Sequence, residues 1–189
     1  DPSEYVRRSV ANNLNDISKD NPGIFISIAQ RWKGYSKETN AIIKHGSRTL
    51  LKQGSLAILK HFGLTDNSNI VASKFNILTP IVKIGDNLEF TFSLQNTDSK
   101  SLNVRIEYAI HYLRSNKQHS KKVFKISERN LLPGETIHIN RKQSFKIITT
   151  RRFYAGPQKL SLIINGKEKK NARFELKERR MTSPPVARS

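Results

Sequence analysis

The chain has 189 residues, with 34 Lys and Arg against 15 Asp and Glu, a formal net charge of +19 at pH 7 and a pI of about 10.4. A chain this basic adheres to polyanions, and its length allows one large domain or two small ones, each big enough to bury a core. The absence of Cys excludes disulfides and thiolate metal sites, which fits the reducing cytoplasm; no apolar run reaches the roughly 20 residues of a membrane span and nothing at the start resembles a signal peptide, so no membrane partner is expected.

The chain opens Asp1-Pro2-Ser3, without Met, directly into a helical pattern, and it is expected to be a piece of something longer. The first helix is predicted over residues 4–20. Within it Val6, Val10, Leu14 and Ile17 recur at helical pitch as an apolar stripe, while Arg8, Asn12, Asn15 and Lys19 fall on the opposite side. Two amides between two cations suit phosphates and base edges. Further helices are predicted over 24–33, 38–53 and 55–62, separated by Asn21-Pro22-Gly23, Gly34 and Gly54, with Ser55 as an N-cap. In the third, Ile43, Gly46, Ser47 and Leu50 make a thin buried stripe, and Lys44, Arg48 and Lys52 stack on another face. Like charges so stacked are best tolerated with a polyanion across them. Short helices in tight succession read as one to two units of a helical solenoid, in which the polar stripes of the first and third helices would lie side by side as a basic groove.

After Asp66 the hydrophobic period changes to two. Leu88, Phe90, Phe92 and Leu94 alternate in one segment, and Leu102, Val104, Ile106, Tyr108, Ile110 and Tyr112 in the next. Further strands are predicted near 70–78, 121–127, 135–147, 158–165 and 169–176. Turns are marked by Gly85-Asp86, Asn96-Thr97-Asp98, Leu132-Pro133-Gly134-Glu135 and Asn165-Gly166, the last being the strongest hairpin signal. About seven short strands predict an immunoglobulin-like sandwich. Three units are expected: helices over 1–66, the sandwich over 67–176, and a disordered basic tail over 177–189, which contains Pro184-Pro185. The fold class is α+β with two domains.

The positive charge is concentrated in residues 67–176, which carry 20 basic and 8 acidic side chains. Arg114, Lys117, Lys121, Lys122 and Lys125 occur with no acid between Glu107 and Glu128. A second acid-free window, Thr136 to Lys167, contains Lys146, Arg151 and Arg152, with Phe153 and Tyr154 beside them. Two guanidiniums next to an aromatic suit insertion into a minor groove. No catalytic constellation stands out. His45, His61, His111, His119 and His138 are dispersed, with no HExxH pair and no acidic cluster, so no metal and no cofactor are expected. Asp16 is the carboxylate nearest the amide-rich face of the first helix, where a pair with Lys19 or Arg8 is its ordinary role.

The stretches VRRSVANNLNDISKDNP, Val6 to Pro22, and IIKHGSRTLLKQG, Ile42 to Gly54, resemble the last repeats of the DNA alkylation repair glycosylases of the AlkC and AlkD type. LLPGE, Leu131 to Glu135, and TRRFYAGPQKLSLIINGK, Thr150 to Lys167, point to the AlkC branch. The resemblance implies HEAT-like helical repeats followed by an immunoglobulin-like domain, and hydrolysis of the N-glycosidic bond of cationic alkylated bases of the 3-methyladenine class in base excision repair. It implies a bacterial monomer that grips double-stranded DNA containing alkylated bases without flipping the base fully into a pocket. By position, Arg7 and Arg8 would hold phosphates, and Asn12 stands where the AlkD branch has a Trp near the lesion. The family's principal carboxylate belongs to an earlier repeat, so no catalytic residue is assigned. The expected DNA contacts are Arg7, Arg8, Asn12, Asn15, Lys19, Lys44, Arg48, Lys52, Lys146, Arg151, Arg152 and Tyr154. The alternatives are a nucleic-acid clamp with no enzymatic activity and, more distantly, an adhesion module.

Overall fold

The computed structural model describes residues 2–64, 68–149 and 152–179. Five helices come first: α1 (Glu4–Asp20), α2 (Pro22–Arg31), α3 (Lys37–Gly46), α4 (Arg48–Gln53) and α5 (Leu56–His61). Ser3 and Ser36 cap α1 and α3, each accepting a backbone N–H of the first turn, and Pro22 opens α2 where its missing N–H costs nothing. The predicted third helix is broken at Ser47. Its hydroxyl donates to the carbonyl of Ile43 at 2.7 Å, an interaction that bends helices, and the chain restarts as α4. Gly46, just before the break, lies against α1. A Cβ there would stand 3.1 Å from Leu14 Cβ and 3.1 Å from Phe25, so the two helices approach because this position has no side chain.

This approach turns α1 from its expected orientation. Its buried side is Ala11, Leu14, Asn15 and Ser18, whereas Val6 and Val10 stay 38% and 36% exposed. α1 packs on α2, α3 and α4, and α2 on α5, around Leu14, Phe25, Ala29, Ile43, Leu50, Leu51, Ile58 and Leu59.

Eight strands follow: β1 (Ile70–Ile77), β2 (Ile81–Lys83), β3 (Asn87–Asn96), β4 (Leu102–Leu113), β5 (His119–Leu131), β6 (Thr136–Ser144), β7 (Gly156–Ile164) and β8 (Lys167–Lys177). They form a three-stranded sheet, β1-β3-β6, facing a five-stranded sheet, β2-β8-β7-β4-β5. The period-two residues of β3 and β4 point into the space between the sheets, joined by Leu160, Leu162 and Ile164 of β7 and by Phe145 and Phe174. Each such side chain, fully buried, contributes roughly 1.5–3 kcal/mol. β2 has no counterpart among the predicted strands. It spans three residues between Pro80 and Gly85, too few for an alternation to register, and it is held by parallel pairing to β8 rather than by a local hairpin.

Asn165 and Gly166 make the two-residue turn between β7 and β8, with φ of 46° and 77° as the mirror-image hairpin turn requires. The Asn165 side chain is 2% exposed and occupied at both ends: its oxygen accepts from the Arg105 N–H at 2.7 Å and its amide donates to the Asn103 carbonyl at 3.1 Å. This turn is where the helices meet the sandwich. A Cβ on Gly166 would lie 2.9 Å from Gly54 Cα and 2.7 Å from Leu59.

Candidate nucleic-acid interface

The solvent side of α1 faces α3 across a groove of about 420 Å³, lined on α1 by Glu4, Arg7 and Arg8 and on α3 by Lys37, Glu38 and His45. One turn on, Asn12 ties three helices together. Its side-chain oxygen accepts from Arg48 Nη1 of α4 at 3.0 Å and lies 3.2 Å from His45 Nε2 of α3. For both contacts to be hydrogen bonds His45 carries its proton on Nε2. Desolvation, then the charges of Arg48 and Arg8, lower the affinity of the His45 imidazole for a proton. Arg7 also donates to the carbonyl of Pro2 at 2.7 Å. Arg7, Arg8, Asn12 and Arg48 are therefore brought together, with His45 among them.

Other expected contacts are arranged differently. Asn15 is 1% exposed, and its oxygen accepts from the N–H and hydroxyl of Thr49 at 3.2 and 2.9 Å, satisfying the start of α4. It belongs to the contact between helices and not to the outer face. Lys44 does not continue a stripe with Arg48 and Lys52, because the break at Ser47 turns the two halves apart. Its ammonium sits 2.7 Å from Glu128 on β5 and 4.0 Å from the centre of the Phe62 ring. Lys52 is exposed, and its charge acts on Glu107 of β4. Lys19 is exposed and pairs with Asp16 at 2.7 Å, the ordinary role expected of that carboxylate.

Lys44 is part of a charge cluster between helices and sandwich. Arg105, 3% exposed, donates to Glu107 at 2.6 Å and to Glu128. Burial alone would raise the Glu128 carboxyl, but hydrogen bonds from Lys44 and Arg105 and the charges of Lys44 and Lys125 outweigh it and bring it from 4.5 to about 2. Glu107, fully buried, is pushed up by desolvation, and its Oε2 has no hydrogen-bond partner among the described residues.

On the sandwich, Arg151 lies outside the described residues. Arg152 is exposed, with its guanidinium 5.4 Å from the centre of the Tyr154 ring. Both line a cleft of about 320 Å³ with Tyr112, Arg114 and Lys122. Phe153 instead joins the core, 5.1 Å from Phe145 and 5.9 Å from Tyr112 between ring centres. Lys146 is exposed just past β6. Arg114 and Lys122 sit in an acid-free run that is visible in sequence, but their convergence on Arg152 depends on β5 and β7 flanking β4, which no local signal encodes. His45 carries no motif at all. Only the packing of α3 beside α1 gives it neighbours.

The chain is similar along nearly its whole length to two known proteins. The alkylpurine DNA glycosylase AlkC of Pseudomonas fluorescens, solved bound to DNA containing an abasic site analog, superposes with a TM-score of 0.90 at 33% identity, over 94% of this chain and 49% of that one. The protein of Bacillus subtilis (strain 168) named "Uncharacterized protein YhaZ" is 43% identical over 176 residues, which are 93% of this chain and 49% of the relative. The chain thus spans about half the length of the proteins it matches. The α+β fold of AlkC, helices and sandwich together, is the fold of this chain. The family described as "Uncharacterised protein YhaZ, C-terminal Ig-like domain" matches residues 71–178, more than half of the chain, and the chain belongs to it.

Proposed function

We propose that this chain is the DNA-gripping part of a glycosylase that removes cationic alkylated bases of the 3-methyladenine class from double-stranded DNA. The observation that carries the reading is the likeness to AlkC, a DNA glycosylase solved on DNA, at 33% identity over 94% of the chain. In this reading the helices are HEAT-like pairs, and the groove with Arg7, Arg8, Asn12 and Arg48 takes the phosphate backbone. The cleft with Arg152 and Tyr154 takes a second stretch of the same duplex, and Lys19, Lys52, Lys146 and Arg151 add charge around the two.

The chemistry asks little of this part of the protein. A cationic base is already a good leaving group, so the bond to its sugar breaks once the sugar cation is stabilised and a water is positioned. Asp16 is not proposed for that role, because it is exposed and paired with Lys19. The test is release of free 3-methyladenine from methylated duplex DNA by the protein that carries this chain. Release above the spontaneous rate supports a glycosylase; DNA binding without release leaves the clamp reading and ends this one.

A further inference from the structure

We propose that the groove between α1 and α3 is a proton-linked phosphate subsite, in which a backbone phosphate of duplex DNA is met by Arg8 and by a His45 that takes up one proton from solvent as the phosphate arrives. The inference rests on the DNA-binding reading given above and adds to it how binding at that site is regulated.

The geometry sets the atoms. Asn12 Oδ1 is fixed as an acceptor because Arg48 donates to it at 3.0 Å, so the His45 Nε2 beside it, at 3.2 Å, must be the protonated nitrogen. That leaves Nδ1 as the nitrogen with the lone pair, and it has no hydrogen-bond partner among the described residues. His45 also lines the groove with Arg7, Arg8 and Lys37. An imidazole nitrogen able only to accept, placed in a basic groove, opposes nothing while the groove is empty. Against a phosphate oxygen, which also only accepts, it has to gain a proton and become a donor.

The charges facing His45 are Arg8 and Arg7, with Glu4, on α1; Lys37 and Glu38 on α3; and Arg48 on α4, whose field also reaches Asp16. Desolvation first, and then the charges of Arg48 and Arg8, disfavour imidazolium in the free protein. A phosphate between Arg8 and His45 reverses the local sign, so proton and DNA bind with positive linkage. Arg48 and Asn12 act as positioning residues, since they hold the ring in one tautomer without being required to touch the phosphate.

The experiment is titration of the full chain with a short duplex oligonucleotide at fixed ionic strength, from about pH 8 to about pH 6, across the imidazole range. Affinity is expected to rise roughly three- to tenfold as pH falls, the span given by a half- to one-unit difference in proton affinity between free and bound states. In His45→Gln, which keeps a donor for Asn12 but does not titrate, the rise should vanish while the circular dichroism spectrum stays that of the parent. The imidazole resonance lost in that variant should, in the parent chain, shift its titration midpoint upward when DNA is added. Salt-sensitive binding with no pH dependence, or a pH dependence retained in His45→Gln, overturns the linkage and leaves the DNA-binding reading standing. Absence of binding at any pH overturns both.

Discussion

Asn12 and Asn15 are three residues apart on one helix and do opposite things. Both look alike in the sequence: small amides on the polar side of α1. Their fates differ because Gly46 lets α3 approach the side of α1 that holds Ala11 and Leu14, which brings Asn15 into the seam and leaves Asn12 at its edge. Sequence periodicity gives the helix but not its rotation to within one residue, since 100° per residue tolerates a shift of the buried stripe. Asn15→Ala should therefore cost stability, by about 1–3 kcal/mol for the donors of Thr49 left without a buried partner. Thermal unfolding would report this, and affinity for DNA measured below the transition should be unaltered. A variant as stable as the parent would mean that water replaces the amide.

At the scale of elements, the contact between helices and sandwich is made of one turn and one charge cluster. The turn is legible: Asn165-Gly166, directly after the apolar run Leu160 to Ile164, is the strongest hairpin signal in the chain. The cluster is not, because Lys44, Arg105, Glu107 and Glu128 are scattered along the chain and each reads alone as a surface charge. Its consequence is sensitivity to acid. The Glu128 carboxyl is depressed to about 2 in the fold and titrates near 4.5 when unfolded, so its contribution is complete above about pH 4.5 and is lost as pH falls toward 2. Glu107 is shifted the other way, so its protonation relieves a buried charge above about pH 4.5, before the Glu128 loss sets in. Glu128→Gln should lower stability at neutral pH by about 2–3 kcal/mol, because Lys44 and Arg105 lose a common partner, and should flatten the acid limb of the stability profile. Denaturant unfolding followed between about pH 2 and pH 7 covers this window. An acid limb as steep in the variant as in the parent would assign the loss to other groups.

For the whole molecule, net charge of +19 makes a quantitative demand on any DNA complex. If the α1/α3 groove and the Arg152 cleft both engage the backbone, contacts to about 4–6 phosphates would give a slope near −4 to −5 in a plot of log affinity against log salt. Charge reversal at the second cleft, Arg114→Glu with Arg152→Glu, should weaken binding and reduce that slope by about two, with the fold intact because both side chains are exposed. A slope near zero in the parent chain, or an unchanged one in the variant, would return these cations to the role of solvated surface. Composition alone pointed to the polyanion, and alternation in β3 and β4 pointed to the sandwich. Which cations converge was beyond reach, because strand order within a sheet decides it.

The occupied side chain of Asn165 has one more effect, on how this protein ages. An Asn followed by Gly loses its amide when the next backbone nitrogen attacks the side-chain carbon, a reaction that requires the side chain to swing onto its own backbone. Here the oxygen is held by Arg105 and the amide by Asn103, and the residue is shut away from water between helices and sandwich. The folded chain is thereby protected, while every excursion that opens the turn exposes a fast-reacting bond. Conversion to a carboxylate would leave a charge in a site built for a neutral amide, which disfavours closure of the turn. The closed turn is thus what keeps this amide from reacting.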